Sequence, residues 1–217
     1  MSRSPANHPW APGQCALLFT YTAGMAVMPG KVFVFSGHMV DEGERATPRF
    51  PNDPLHIERA RAAIATALGG AGTGDLALTQ GACGGDLLFS AACVERGLVL
   101  RWQQPFAEAD FMARSVARGG ARWMAQYDTL RPHLEQAPRA LAEVLGPPLA
   151  DDLHTPYWRC NRWLLDTALS YGVAKLHFIC LWDGGAPDSD GGTAQMLEEV
   201  RCYTTSITVI ETRTLWS

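Results

Sequence analysis

Three glycines in five positions, Gly81, Gly84 and Gly85, run straight into the carboxylate of Asp86 within TQGACGGDLLF (79–89). Glycine lets a backbone approach a ligand closely. The first amides of a helix that follows offer unpaired N–H donors and the positive end of the helix dipole to an anion. A second stretch, DGGAPDSDGGT (183–193), repeats the pattern with Gly191, Gly192 and Thr193, and a third, SGHM (36–39), sets Gly37 and His38 behind an apolar run. Together these read as turns that cradle phosphate. Asp86 has two uses at its position, accepting from a sugar hydroxyl or capping the helix that begins there. His38 is placed to bond a phosphate or to serve as an acid. Cys83 lies inside the first cradle, where a helix N-terminus lowers a thiol pKa.

These loops do chemistry together only if strands deliver them to one rim. KVFVFS (31–36) is an apolar run rich in β-branched and aromatic residues that stops at Gly37, the pattern of a strand buried on both faces. DLALTQ (75–80), LVLRWQQPF (98–106), KLHFICLW (175–182) and SITVIET (206–212) continue the series. Between them fall helix patterns. DPLHIERARAAIATALGG (53–70) has Asp53 as cap, Pro54 at the first helical position and glycines as the stop, and GDLLFSAACVERG (85–97) and TAQMLEEVRCY (193–203) follow. Strand and helix in this rhythm predict a doubly wound, mostly parallel α/β sheet of Rossmann-like type with helices on both faces. Such sheets bind ligands beyond the carboxyl ends of their strands, at the point where the strand order reverses. All three glycine-bearing loops fall on that rim.

Residues 107–170 read as a mostly helical insert within a domain spanning 31–217. EADFMARSVARGGARWMAQYDTL (108–130) is expected to be one helix, with Arg114, Arg118 and Arg122 at i, i+4 and i+8 on one face. That stripe reads as a solvated face or as a phosphate track. The helix YWRCNRWLLDTALSYG (157–172) carries Asn161 and Arg162. Trp158, Trp163 and Trp182 have two uses, stacking a base near the rim or filling the core.

Composition narrows the classes. The chain has 217 residues, 47% of them hydrophobic, which suits one core. A net charge of −4 argues against a protein built mainly to hold nucleic acid. All but Lys31 and Lys175 of its basic residues are Arg, the better bidentate partner for phosphate. The six cysteines show no C-x-x-C pair and no zinc spacing, so no metal site is expected from them, and a reducing cytoplasm follows. Asp183, Asp188 and Asp190 share one loop that would suit Mg²⁺ beside phosphates or simply solvent. Residues 1–30 read as an N-terminal extension, a strand or an arm. Its apolar run CALLFTYTAGMAVM is shorter than the roughly 20 residues of a membrane span.

The SGH after the first strand, GACGGD after the second, RCNRWLLDTALS (159–170) on a helix and GGT opening a later helix resemble the SLOG superfamily. This grouping of Rossmann-like domains includes DprA/Smf proteins, LOG phosphoribohydrolases and ligand sensors. The resemblance spans roughly residues 31–212. It implies a site for a nucleotide or nucleotide-derived ligand, NAD-derived molecules included. It assigns backbone contacts to Gly37, Gly81, Gly84 and Gly85, and phosphate binding to Gly191, Gly192 and Thr193. Arg162 would meet a phosphate, or pair with Asp166 four residues on. Asn161 would meet a ribose or a loop carbonyl. The LOG motif carries an essential Glu three residues after its Thr, where this chain has Met196. The candidate catalytic carboxylate is therefore Glu199, one turn further. Sensing or binding is the reading this favours, LOG-like hydrolysis of an N-glycosidic bond is the alternative, and a DprA-like nucleic-acid role ranks third. A homo-oligomer is expected of such domains, and no membrane association.

Overall fold

Residues 28–43, 45–145, 155–185 and 191–217 are described by the structure, a computed structural model. Most of the N-terminal extension lies outside the described residues, as do Asp188 and Asp190. Five strands form one sheet: β1 (Val32–Gly37), β2 (Leu76–Thr79), β3 (Val99–Trp102), β4 (Leu176–Trp182) and β5 (Ile207–Glu211). Their order is β3-β2-β1-β4-β5, and every pairing is parallel. The fold is a doubly wound α/β sheet of Rossmann-like type.

The apolar run of β1 feeds two cores at once. Phe33 and Phe35 face a cluster containing Ile57, Ile64 and Phe89, whereas Val32 and Val34 face one built from Leu164, Leu165, Met196 and Val200. Alternation along the strand thus supplies both faces, which is why no polar residue interrupts it until Ser36. Each such side chain, fully buried, contributes about 1.5–3 kcal/mol.

The helices sort accordingly. α1 (Pro54–Leu68) and α2 (Gly85–Glu95) cover the first face. α1 starts where expected because the Asp53 carboxylate accepts from the amides of Leu55 and His56. The segment expected as one helix over 108–130 is broken. It runs as α3 (Glu108–Phe111), a π turn at Met112–Val116, a 3₁₀ turn at Ala117–Gly119 and, beyond Gly120 at φ +91°, α4 (Ala121–Leu130). The glycine pair makes the turn into α4. A Cβ on Gly119 would lie 2.6 Å from the Trp123 ring and 2.9 Å from the Cys83 Cβ, so the chain is pressed against the β2–α2 loop at that turn. The arginine stripe is lost with the helix. Arg114 lies over the Phe106 ring at 5.0 Å, Arg118 bonds Glu42 at 2.9 Å and Arg122 lies over the Trp123 ring at 5.9 Å.

After α5 (Leu141–Leu145), the second face is covered by α6 (Pro156–Ser170) and α7 (Thr193–Val200). α8 (Thr212–Trp216) closes the chain against α1, where Trp216 stacks on Phe50 at 5.5 Å. Among the described residues, no helix is long and apolar enough to cross a membrane.

Candidate functional site

β1 is the switch point: the chain leaves β2 for α2 on one face and β4 for α7 on the other. Above it opens a cleft of about 340 Å³. Of the residues expected from sequence, Gly37, His38, Asp86, Asn161, Gly191, Gly192 and Thr193 line it. Gly81, Gly84 and Gly85 pack behind its wall, and Arg162 and Glu199 stand outside it.

In the first loop the glycines make room for protein. Gly84 has φ +97°, and a Cβ there would lie 2.8 Å from both the carbonyl oxygen of His38 and the amide nitrogen of Val40. A Cβ on Gly81 would meet the Trp102 ring at 2.8 Å. The Gly85 amide, expected to face a ligand, donates to the His38 carbonyl at 3.1 Å. GACGGD is therefore a buttress beneath the loop that follows β1. Asp86 secures it from below, its Oδ2 accepting from the Ala82 amide at 3.2 Å. Burial pushes the Asp86 carboxyl up to about 7, against the pull of the Ala82 amide and its neighbours. The expectation of an activated Cys83 is corrected in the same way. Burial pushes this thiol up to about 11, outweighing any help from the helix start.

The second loop is built differently. Gly191, at φ +91°, sits so close to α6 that a Cβ would lie 2.5 Å from the Trp158 amide nitrogen. Its carbonyl accepts from Asn161 Nδ2 at 2.8 Å, and Asn161 Oδ1 accepts from Gln80 Nε2 at 2.8 Å. The loop carbonyl expected for Asn161 is that of Gly191. This bridge ties the loop to the end of β2. Gly192 is then the N-cap of α7, and Thr193 and Ala194 open the helix at the cleft wall. Ser36 Oγ donates to Thr193 Oγ1 at 3.2 Å, fixing the helix start over the end of β1. The first helical amides have no acceptor within their own helix.

His38 Nε2 accepts from the Asp183 amide at 3.1 Å and lies 3.1 Å from Asp183 Oδ1. Burial, followed by the charge of Arg49, lowers the His38 pKa from 6.5, so the ring is neutral at pH 7. Against burial, the Gly185 amide and His38 hold the Asp183 carboxyl below the usual range.

Sequence reasoning missed the loop between β1 and α1. Asp41, buried, accepts from the amides of Arg49 and Phe50 at 2.9 Å each and folds the segment back on itself. Arg45 and Arg49 thereby reach the cleft, where Arg118, Ser115 and Tyr157 also stand. No periodicity marks such a loop. The only available signal was its position after a strand end.

Arg162 Nη1 donates to Glu199 Oε1 at 2.7 Å, and its Nη2 to Asp166 Oδ1 at 2.7 Å. Against burial, these carboxylates hold the guanidinium pKa above its usual range. The expected Asp166 pair is present, and Glu199 faces an arginine on the outer side of α6 and α7. Trp182 is at the cleft, but Trp158 and Trp163 do not line it. Among the described residues, no group of three His, Cys, Asp or Glu gathers as a metal site. A larger hollow of about 720 Å³ lies beyond edge strand β3. Its Arg139 and Glu108 bond each other at 3.0 Å, and it has neither the strand ends nor the helix start of the smaller cleft. No protein-family model matches the chain, and a search of curated proteins finds no match.

Proposed function

We propose that the cleft binds a nucleotide or nucleotide-derived small molecule as a sensor, without hydrolysing it. One observation carries this reading: the start of α7, Gly192 to Ala194, opens into a cleft at the switch point that also holds Arg45 and Arg118. A helix N-terminus and a guanidinium group each suit a phosphate, by N–H donors with the helix dipole and by a bidentate fork. Trp182 and Tyr157 add apolar ring surface for a base. The SLOG resemblance supports the same ligand class.

Two facts weigh against N-glycosidic hydrolysis of the LOG type. Met196, at the position of the essential Glu, is buried in the core, and Glu199 bonds Arg162. Hydrolysis, the alternative, would fall instead to Asp86, a cleft carboxyl that burial brings up to about 7, within range of acid and base work.

The test is thermal denaturation of the chain with a panel of nucleoside mono- and diphosphates, ADP-ribose and NAD, with chromatography for free base on the same samples. Stabilisation of about 2.7 kcal/mol at a hundredfold excess over Kd, with the ligand recovered intact, is the expected result. Release of base identifies a hydrolase, and an unmoved melting temperature across the panel removes the nucleotide reading.

A further inference from the structure

We propose, resting on the nucleotide reading of the cleft, that its ligand carries two anionic groups and that Arg45 and Arg118 hold the second. The charge donors of the cleft lie on two sides of β1. On the β4 side, the Ser36–Thr193 bond sets the first amides of α7 over the end of β1. On the β2 side, Arg118 projects from the turn whose Gly119 is pressed against Cys83 of the β2–α2 loop. Arg45 reaches the same cleft from the segment that Asp41 folds back. A phosphoryl group accepting from the helix amides leaves these two guanidiniums for another anion.

The present partners of both arginines are exchangeable. Glu42, which bonds Arg118 at 2.9 Å, has a side chain 53% exposed, and Arg45 approaches Asp41 only to 3.6 Å. Pairs so exposed or so long contribute little. A phosphoryl group offers a guanidinium two parallel charge-assisted hydrogen bonds and displaces them. Asp41 keeps its two backbone amides when Arg45 turns to the ligand, so the loop holds its shape during the exchange. Glu42 competes with the anion for Arg118.

The ligand class is thus a nucleotide with a second phosphoryl group, as in a nucleoside diphosphate, rather than a monophosphate. Calorimetric titration of the full chain with the four common ribonucleoside monophosphates and their diphosphates tests this. For the base that binds best, the diphosphate is expected to bind about tenfold tighter or more, which corresponds to about 1.4 kcal/mol. Arg45→Gln with Arg118→Gln brings that ratio close to one, and Glu42→Gln raises it by freeing Arg118. The gain in Glu42→Gln is a result that misfolding does not produce. A ratio near one in the unaltered chain, or one that survives the double substitution, overturns the two-anion inference while monophosphate binding keeps the nucleotide reading. Absence of heat with every nucleotide overturns both.

Discussion

The two glycine-bearing loops, GACGGD at 81–86 and GGT at 191–193, look alike as sequence and differ in what they face. The first turns its glycines toward protein: the backbone of His38 to Val40, the Trp102 ring and the Phe35 ring. Its first helical amide is already bonded to the His38 carbonyl. The second anchors one glycine against α6 and presents the next two residues to the cleft. A glycine-rich turn at a strand end therefore has two physical uses, and only its surroundings select between them. The buttress shapes the cleft wall, and the helix start opens into the cleft.

Substitution at Gly84 should break the comparison most severely. Alanine would need φ near +97° and would set its Cβ 2.8 Å from two backbone atoms, neither of which can rotate away. We predict a loss of about 3 kcal/mol or more, seen as a fall of about 6–12 °C in melting temperature. Full stability in Gly84→Ala would show that the loop is loose and that its glycines face something other than protein.

Asp86 should give the buttress a pH signature. Its carboxyl has an unfolded value of 3.8 and a folded value of about 7, so between these the folded state holds the extra proton. The contribution of this group to stability is greatest below about pH 4, falls as pH rises to about 7 and is constant above that. The fall is on the order of a few kcal/mol. Urea unfolding of the wild type and Asp86→Asn from pH 5 to pH 8 isolates it. The difference between the two should shift against the wild type as pH rises, and parallel curves would mean that Asp86 titrates normally.

Gly192→Asp tests the other loop without harming the fold. Gly192 has φ −79° and ψ 172°, which any residue adopts, and Asp is a favourable N-cap. Its charge would meet an incoming phosphate. Nucleotide affinity should drop at least about tenfold, or 1.4 kcal/mol, while the melting temperature holds or rises. Unchanged affinity would move the ligand away from α7.

Glu199→Gln should have the smallest effect. It weakens one of three bonds of Arg162, which keeps Asp166 and Tyr203, so about 1 kcal/mol or less of stability is at stake. Nucleotide affinity should not change. A change there would bring Glu199 into the site after all.

Much of this architecture is legible in the sequence because it depends on local pattern. Apolar runs of four to seven residues separated by capped helices specify parallel strands with crossovers, and the observed elements β1 to β5 start and stop within a few residues of the pattern. Parallel strands put all their following loops on one rim, so the cleft was readable from the loops at 37, 81–86 and 191–193. The single helix expected over 108–130 departs from α geometry from Met112 onward and turns at Gly119 and Gly120, where contact with Trp123 and Cys83 overrides helical periodicity.

The sequence by itself determined the sheet, its winding and the rim on which the cleft opens, since these follow from spacing and hydrophobicity along short segments. Only the tertiary structure decided which glycine faces protein and which faces the cleft. It alone decided that Asn161 bridges two loops, that Arg162 takes Glu199 away from the site and that Asp41 brings Arg45 and Arg49 to it. Each of those outcomes depends on a contact between residues far apart in the chain or on a loop without periodicity. A residue's type states what it is able to bond, and the fold states what stands beside it.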